Sequence, residues 1–441
     1  MPAPLARLLC TVLVLFLLRV ERLASPRVSA ALWIPTLWML SISSKSLSMW
    51  FSVMGTNESG SLLDQLLLMS LGVAGMVMLA RRRFPWSGAL RRHGWLLALL
   101  AYMFVSALWS DITFIALKRW VREVIVLVMA LVVMSEANPR QALESLLRRS
   151  AYILIPFSLM LIKYYPALGR EYTRWSGKQM WIGVTVHKNA LGSLCLVSAF
   201  FLLWALYRHW RRPAPEGGRY LVWADVAVLL MALFLLKGAE DAYSATSIGT
   251  FAVGIATFLC LLWFRKLKLR IPQPGLSALI IFLVGFGVSA PFVGGSNLAT
   301  ASSALGRDET LTGRTETWAE LVPVVDRQPL LGSGIGSFWT DARRELYQMS
   351  FAHNGYLDIL LELGVVGLAF YTVWLLSCAR TFHGALAMDY DWASLAICFL
   401  VMALVYNATE SALNTLTEQM TALLALLSGV ASYKPIRAST R

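Results

Sequence analysis

The sequence predicts an all-α polytopic membrane protein of about twelve transmembrane helices, with one large polar loop on its outer side. Composition is the first reason. Of 441 residues, 57% are hydrophobic and only 15% charged, against roughly 25% charged in soluble domains, and mean hydropathy is +0.62. The second is that apolar runs recur along the whole chain, each near the roughly 20 residues that cross a hydrocarbon core. The third is that these runs are continuous rather than alternating, which excludes a β-barrel.

A net charge of +14 would suggest nucleic acid in a soluble protein. Here its distribution points to a membrane cause and to no nucleic-acid partner. Arg81, Arg82, Arg83, Arg91 and Arg92 share one short loop; Arg208, Arg211, Arg212 and Arg219 share another; Arg265, Lys266, Lys268 and Arg270 a third. Basic short loops mark the cytoplasmic side. The five cysteines are scattered in or beside apolar runs, with neither metal nor disulfide spacing.

Taken in order, the N-terminal "LLCTVLVLFLL" is flanked by Arg7, Arg19, Glu21 and Arg22 and lacks a clear cleavage site. It reads as an uncleaved interfacial or short embedded segment. Spans follow at about 30–50, 62–80, 94–109, 121–135, 150–165, 189–207, 221–236, 246–264, 275–294, 354–377, 393–407 and 419–433. Starting inside, this topology places the three basic loops, and the tail with Lys434, Arg437 and Arg441, on the cytoplasmic side. Two long polar stretches, 164–188 and 295–353, then lie outside. In the second, "TETWAELVPVVDRQP" puts Trp318, Leu321, Val322 and Val325 on one helical face, stopped by Pro329. That is a short amphipathic helix at the outer interface. The chain reads as one integral membrane domain over 1–441, with 295–353 as a large loop within it.

Outer loops are normally poor in Lys and Arg. Yet Lys118, Arg119 and Arg122 stand at one outer mouth, and Lys163, Arg170, Arg174, Lys178 and Lys188 in the next loop. The large loop adds Arg307, Arg314, Arg327, Arg343 and Arg344. Singly, each fits a solvated surface or a headgroup partner; as a set they point to an anionic, phosphate-bearing ligand.

Two helix starts sharpen that expectation. "GVTVHKNALG" enters the sixth span and "FAHNGYLDIL" the tenth, both with outward N-termini that favour an anion. Each carries a histidine, His187 and His353. His187 also fits a residue capping its own loop, while Lys188 beside it favours a phosphate-facing role. At about 100° per residue, Leu357, Gly364 and Gly367 share a side with His353, and Asp358 and Glu362 lie opposite. "GVVG" therefore suggests close approach of a neighbouring helix beneath the histidine. A neutral imidazole there can accept a proton. Asp358 and Glu362, acidic at membrane depth, are candidates by position. A rival metal site would use Glu240 and Asp241 in "KGAEDAYS", though Lys237 beside them fits a solvated turn equally.

"HNGYLDILLELGVVG" holds a His-Asn pair, nine residues, then Gly-x-x-Gly. It resembles the signature of the O-antigen ligase and polysaccharide polymerase superfamily, and "VHKNALG", "LTGRTETW" and "PLLGSGIGSF" follow that family's usual order. These motifs cover about 181–367, and "HKNALG" is nearer the exopolysaccharide polymerase branch.

The resemblance implies a multi-pass protein of the bacterial inner membrane with its large loop and active site facing the periplasm. It implies an inverting glycosyltransferase needing neither metal nor other cofactor. The donor would be a glycan on undecaprenyl diphosphate, and the acceptor a second lipid-linked repeat or, in the ligase alternative, the lipid A core. Other polysaccharide-assembly proteins would be partners besides membrane lipids. By motif match, Arg314 would hold the diphosphate and His353 would activate the acceptor hydroxyl. His187, Lys188, Asn189, Arg174, Arg119, Arg122 and Asn354 complete the expected substrate-binding set. A transporter of the same lipid-linked glycan is the weaker alternative, since no repeat pairs the two halves.

Overall fold

The computed structural model describes residues 1–52, 60–82, 84, 86–172, 177–211, 218–239, 243–292 and 309–432. Its principal helices begin with α1 (Ala3–Ala24), α2 (Trp33–Ile42), α3 (Leu62–Arg81), α4 (Gly94–Ser106) and α5 (Thr113–Met134). Next come α6 (Pro139–Tyr164), α7 (Lys188–Arg211), α8 (Gly218–Lys237), α9 (Ala245–Lys266) and α10 (Gln273–Ser289). The large loop supplies α11 (Glu309–Val325) and α12 (Asp341–Tyr347); α13 (Gly355–Ala385), α14 (Tyr390–Asn407) and α15 (Gln419–Ala431) close the chain. Strands are confined, among the described residues, to a small hairpin, β1 (Arg170–Tyr172) with β2 (Gln179–Trp181).

Eight of these helices, among the described residues, are long and apolar enough to cross a membrane, and four shorter apolar helices accompany them. The protein is an all-α polytopic membrane protein. One segment departs from expectation. The N-terminal stretch is a continuous helix of 22 residues with hydropathy 2.0, long enough to span rather than lie at the surface. Its Glu21 carboxylate pairs with Arg149 at 2.8 Å and accepts from the Ser145 hydroxyl, docking α1 on α6.

Ion pairs lace one end of the bundle. Besides Glu21–Arg149 they include Arg82–Glu136 (2.9 Å), Arg140–Asp389 (2.8 Å), Arg148–Asp225 (3.2 Å), Arg265–Asp391 (2.6 Å) and the pairing of Glu144 with Arg208. All sit where the three basic loops emerge, so part of the positive charge is neutralised between helices instead of in solvent. At the opposite end lie the large loop, the hairpin and the helix starts bearing His187 and His353.

The feature that shapes this opposite end is a break in α13. Gly364 has φ 63° and ψ −169°, a conformation essentially reserved for glycine. The helix hydrogen bonds lost there are replaced by the loop that follows α11. Val365 N and Val366 N donate to Pro329 O (2.8 Å) and Leu330 O (3.2 Å); Ser333 N and Gly334 N donate to Leu361 O (3.0 Å) and Glu362 O (2.7 Å). Irregular backbone is tolerated at such depth because protein covers it. This corrects the reading of "GVVG": Gly364 admits a loop rather than a neighbouring helix, and only Gly367 meets a side chain of another helix, Tyr102 of α4. "PLLGSGIGSF" does form turns, with Gly332, Gly334 and Gly336 all at positive φ.

Gly364→Ala is expected to cost about 3 kcal/mol or more, since its Cβ would meet the Leu330 backbone in a strained conformation. A markedly lower melting temperature in detergent checks this, and an unchanged one would show that the break can move.

The amphipathic helix is present as α11, but it packs on protein. Trp318, Leu321 and Val325 are buried in a small cluster with Phe338, Trp339, Ala352, Leu357, Leu360 and Leu361. Trp318 Nε1 donates to Ala352 O at 2.8 Å, tying the large loop to the residue before His353.

Candidate active site

His353 is not part of α13. It precedes the N-cap Asn354 and has φ 52°, so helical spacing does not apply to it. Asn354 is fully buried. Its side-chain oxygen accepts from Tyr356 N (3.0 Å) and Leu357 N (3.1 Å), and its amide donates to Gly287 O (3.0 Å). Those bonds occupy the side chain, so Asn354 sets where His353 leaves the helix instead of facing the pocket.

The ring's partner comes from elsewhere. His353 Nδ1 lies 3.1 Å from Glu410 Oε2. A carboxylate only accepts, so Nδ1 carries the hydrogen, and in the neutral ring the lone pair is then on Nε2. Glu410 is buried, 3% exposed, in the short turn after α14, and its other oxygen accepts from Asn189 Nδ2 at the start of α7. Tyr406 OH donates to Asn189 O at 3.0 Å, closing α14 onto α7. Imidazole, carboxylate and amide thus form a chain across three helix ends. This is the arrangement of an oriented general base.

Asp358 pins both arms of that pair. Its Oδ1 accepts from Ala352 N (3.1 Å) and Trp339 Nε1 (2.7 Å), and its Oδ2 accepts from the Ser411 hydroxyl. Ala352 precedes His353 and Ser411 follows Glu410, so one buried carboxylate sets the spacing of the two. Neither Asp358 nor Glu362 hydrogen-bonds the ring itself, whose carboxylate partner is Glu410. Glu362 accepts from Gly336 N at 2.9 Å, at the edge of the break.

Two adjoining cavities meet here. The outer, of about 520 Å³, is lined by Met180, His187, Lys188, Asn189, Arg344, Gln348, Phe351 and His353, among others. The inner, of about 310 Å³, carries Arg119, Arg122, Glu123, Glu362, Glu410 and Glu418. His187, Arg344 and Phe351 line both. Phe351 lies against both histidines, with ring centroids 4.4 Å from His353 and 5.9 Å from His187.

His187 takes the capping role. Its Nδ1 accepts from Ala190 N at 3.1 Å, capping α7, while the ring also faces the cavities. Burial pushes its pKa below the usual histidine range, with Glu410 opposing, which favours a neutral ring. Glu418, accessible to the inner cavity yet walled by protein, is pushed up to about 7 by that enclosure, the nearby Arg122 opposing.

Of the residues singled out from sequence, His353, His187, Lys188 and Asn189 line the outer cavity, and Arg119 and Arg122 the inner one. Arg174, Glu240 and Asp241, and the side chain of Arg314, lie outside the described residues. Sequence reasoning misses Glu410 as the partner of His353; an acidic residue in a short turn between apolar helices, "NATESALN", is the available signal.

Residues 241–372 match a family model described as O-antigen ligase. The matched range runs through α9, α10, the large loop with Arg314, His353, and α13 beyond its break. It stops short of Lys188 on one side and Glu410 on the other, so the His353–Glu410 pair joins the matched range to the turn after α14. The chain is also 28% identical over 293 residues to "Exopolysaccharide production protein ExoQ" of Rhizobium meliloti (strain 1021). That likeness covers 63% of this chain and 62% of the relative, less than two thirds of its length. Both findings support the superfamily that the motifs suggested, and the relative is from its exopolysaccharide side.

Proposed function

We propose that this protein is an inverting glycosyltransferase of the bacterial inner membrane, working on the periplasmic face. It polymerises undecaprenyl-diphosphate-linked repeat units in exopolysaccharide or O-antigen biosynthesis. The observation that carries the proposal is the His353–Glu410 pair at a cavity rich in cations. A neutral Nε2 takes the proton of the acceptor hydroxyl as that oxygen attacks the anomeric carbon. The bond from that carbon to the diphosphate breaks, and the electron pair leaves with the diphosphate. Lys188 and Arg344, with Arg314 by motif, stabilise the departing charge in the role a metal ion plays elsewhere. The reading is of a metal-independent reaction, and transfer by purified protein that survives EDTA is its check. A transporter would have no use for an oriented base.

Ligase and polymerase share this chemistry and differ in the acceptor, lipid A core or a second lipid-linked repeat. The "HKNALG" start of α7 and the exopolysaccharide relative favour polymerase. A deletion strain is expected to lose long chains while retaining single repeats. Full-length polymer accumulating on the lipid carrier would make the protein a ligase instead.

Arg314→Ala is expected to lower transfer by about 10²-fold, within the range for losing one charge-stabilising donor. Arg314→Lys should restore only part, because an ammonium cannot reproduce the planar two-point grip of a guanidinium on phosphate. Full rescue by lysine would show that charge alone matters there.

A further inference from the structure

The two cavities differ in chemistry. Among the described residues, the outer one is lined by Lys188 and Arg344 and by no carboxylate. In the inner one, four carboxyl groups (Glu123, Glu362, Glu410 and Glu418) face three guanidiniums. Each carboxyl group that is ionised repels a diphosphate, whereas alternating acceptors and donors suit an uncharged polyol, each of whose hydroxyls both donates and accepts. Trp339, Tyr406 and Phe351 add aromatic surface to the same wall. Two buried polar atoms of that lining, Asn414 Oδ1 and Arg344 Nε, have no hydrogen-bond partner among the described residues. Such atoms are costly unless a ligand or water satisfies them.

We infer that the inner cavity is a saccharide subsite, holding the uncharged sugar next to the diphosphate, while the diphosphate itself occupies the acid-free outer cavity. The assignment rests on the glycosyltransferase reading and divides its substrate between two chambers. His353 and Glu410 then stand at the boundary, where the bond from sugar to phosphate must lie. Arg119 and Arg122 become sugar-hydroxyl donors rather than phosphate ligands.

Binding to the full chain in nanodiscs tests this with two probes: undecaprenyl diphosphate without sugar, and lipid-linked glycan extracted from a strain lacking the protein. Asn414→Leu and Ser193→Leu, both in the inner lining, should weaken the glycan-bearing lipid about tenfold. They should leave undecaprenyl diphosphate within about twofold. Lys188→Gln should weaken both lipids. Two inner variants are used so that a folding defect in one does not decide the result. Equal weakening of both lipids by the two inner variants would place the diphosphate inside and overturn the assignment. Wild-type protein that binds neither lipid would overturn the glycosyltransferase reading, and the subsite with it.

Discussion

His353→Ala is expected to abolish glycan transfer, with kcat falling about 10³-fold or more, while the protein still folds and inserts. A positioned general base contributes about 10²–10⁴-fold. Among the described residues, the other imidazole of the two cavities, His187, spends its Nδ1 on capping α7 and is not oriented by a carboxylate. The His353 ring packs on Phe351 beside an open cavity, so the melting temperature is measured alongside activity. The helix behind it is capped by Asn354, not by the ring. The measurement is transfer by purified protein in nanodiscs, alongside its melting temperature. A well-inserted variant with near-normal transfer would remove His353 as the base.

Glu410→Gln should lower kcat by about 10²–10⁴-fold with little change in KM. An amide can present its N–H to Nδ1, which would place the ring hydrogen on Nε2 and remove the lone pair the reaction needs; loss of the orienting carboxylate in a serine-protease triad costs about 10⁴-fold for that reason. Glu410→Asp, which keeps the charge, should recover part of the rate. If Glu410→Gln instead retained full kcat, Glu410 would only be holding Asn189 and the start of α7.

Most of the bundle is legible in the hydropathy of the chain. Each expected span from 30 to 433 corresponds to a helix, because hydropathy over about 20 residues is a local property. The N-terminal helix is understated by its flanking charges, which resemble an interfacial boundary; Glu21 finds its partner only across the bundle, in Arg149. The break at Gly364 is not legible. "GVVG" within an apolar run fits unbroken helix packing equally well, and the break depends on the 329–334 loop supplying the missing hydrogen bonds.

At the site, the motifs by themselves locate both histidines, Lys188 and Asn189, and the charge pattern singles out Arg119 and Arg122 as unusual for their side of the membrane. Membrane class, and the choice of His353 and its neighbours as candidates, were thus available from sequence. Hydropathy, charge asymmetry and helix-start motifs are all carried by contiguous residues. Only the tertiary structure decided that Glu410, 57 positions from His353, orients it, that Asp358 ties their two segments together, and that Arg119 and Arg122 share their cavity with four carboxyl groups. Each of those depends on which helix ends meet, and that is set by packing across the whole bundle rather than by any one stretch of chain.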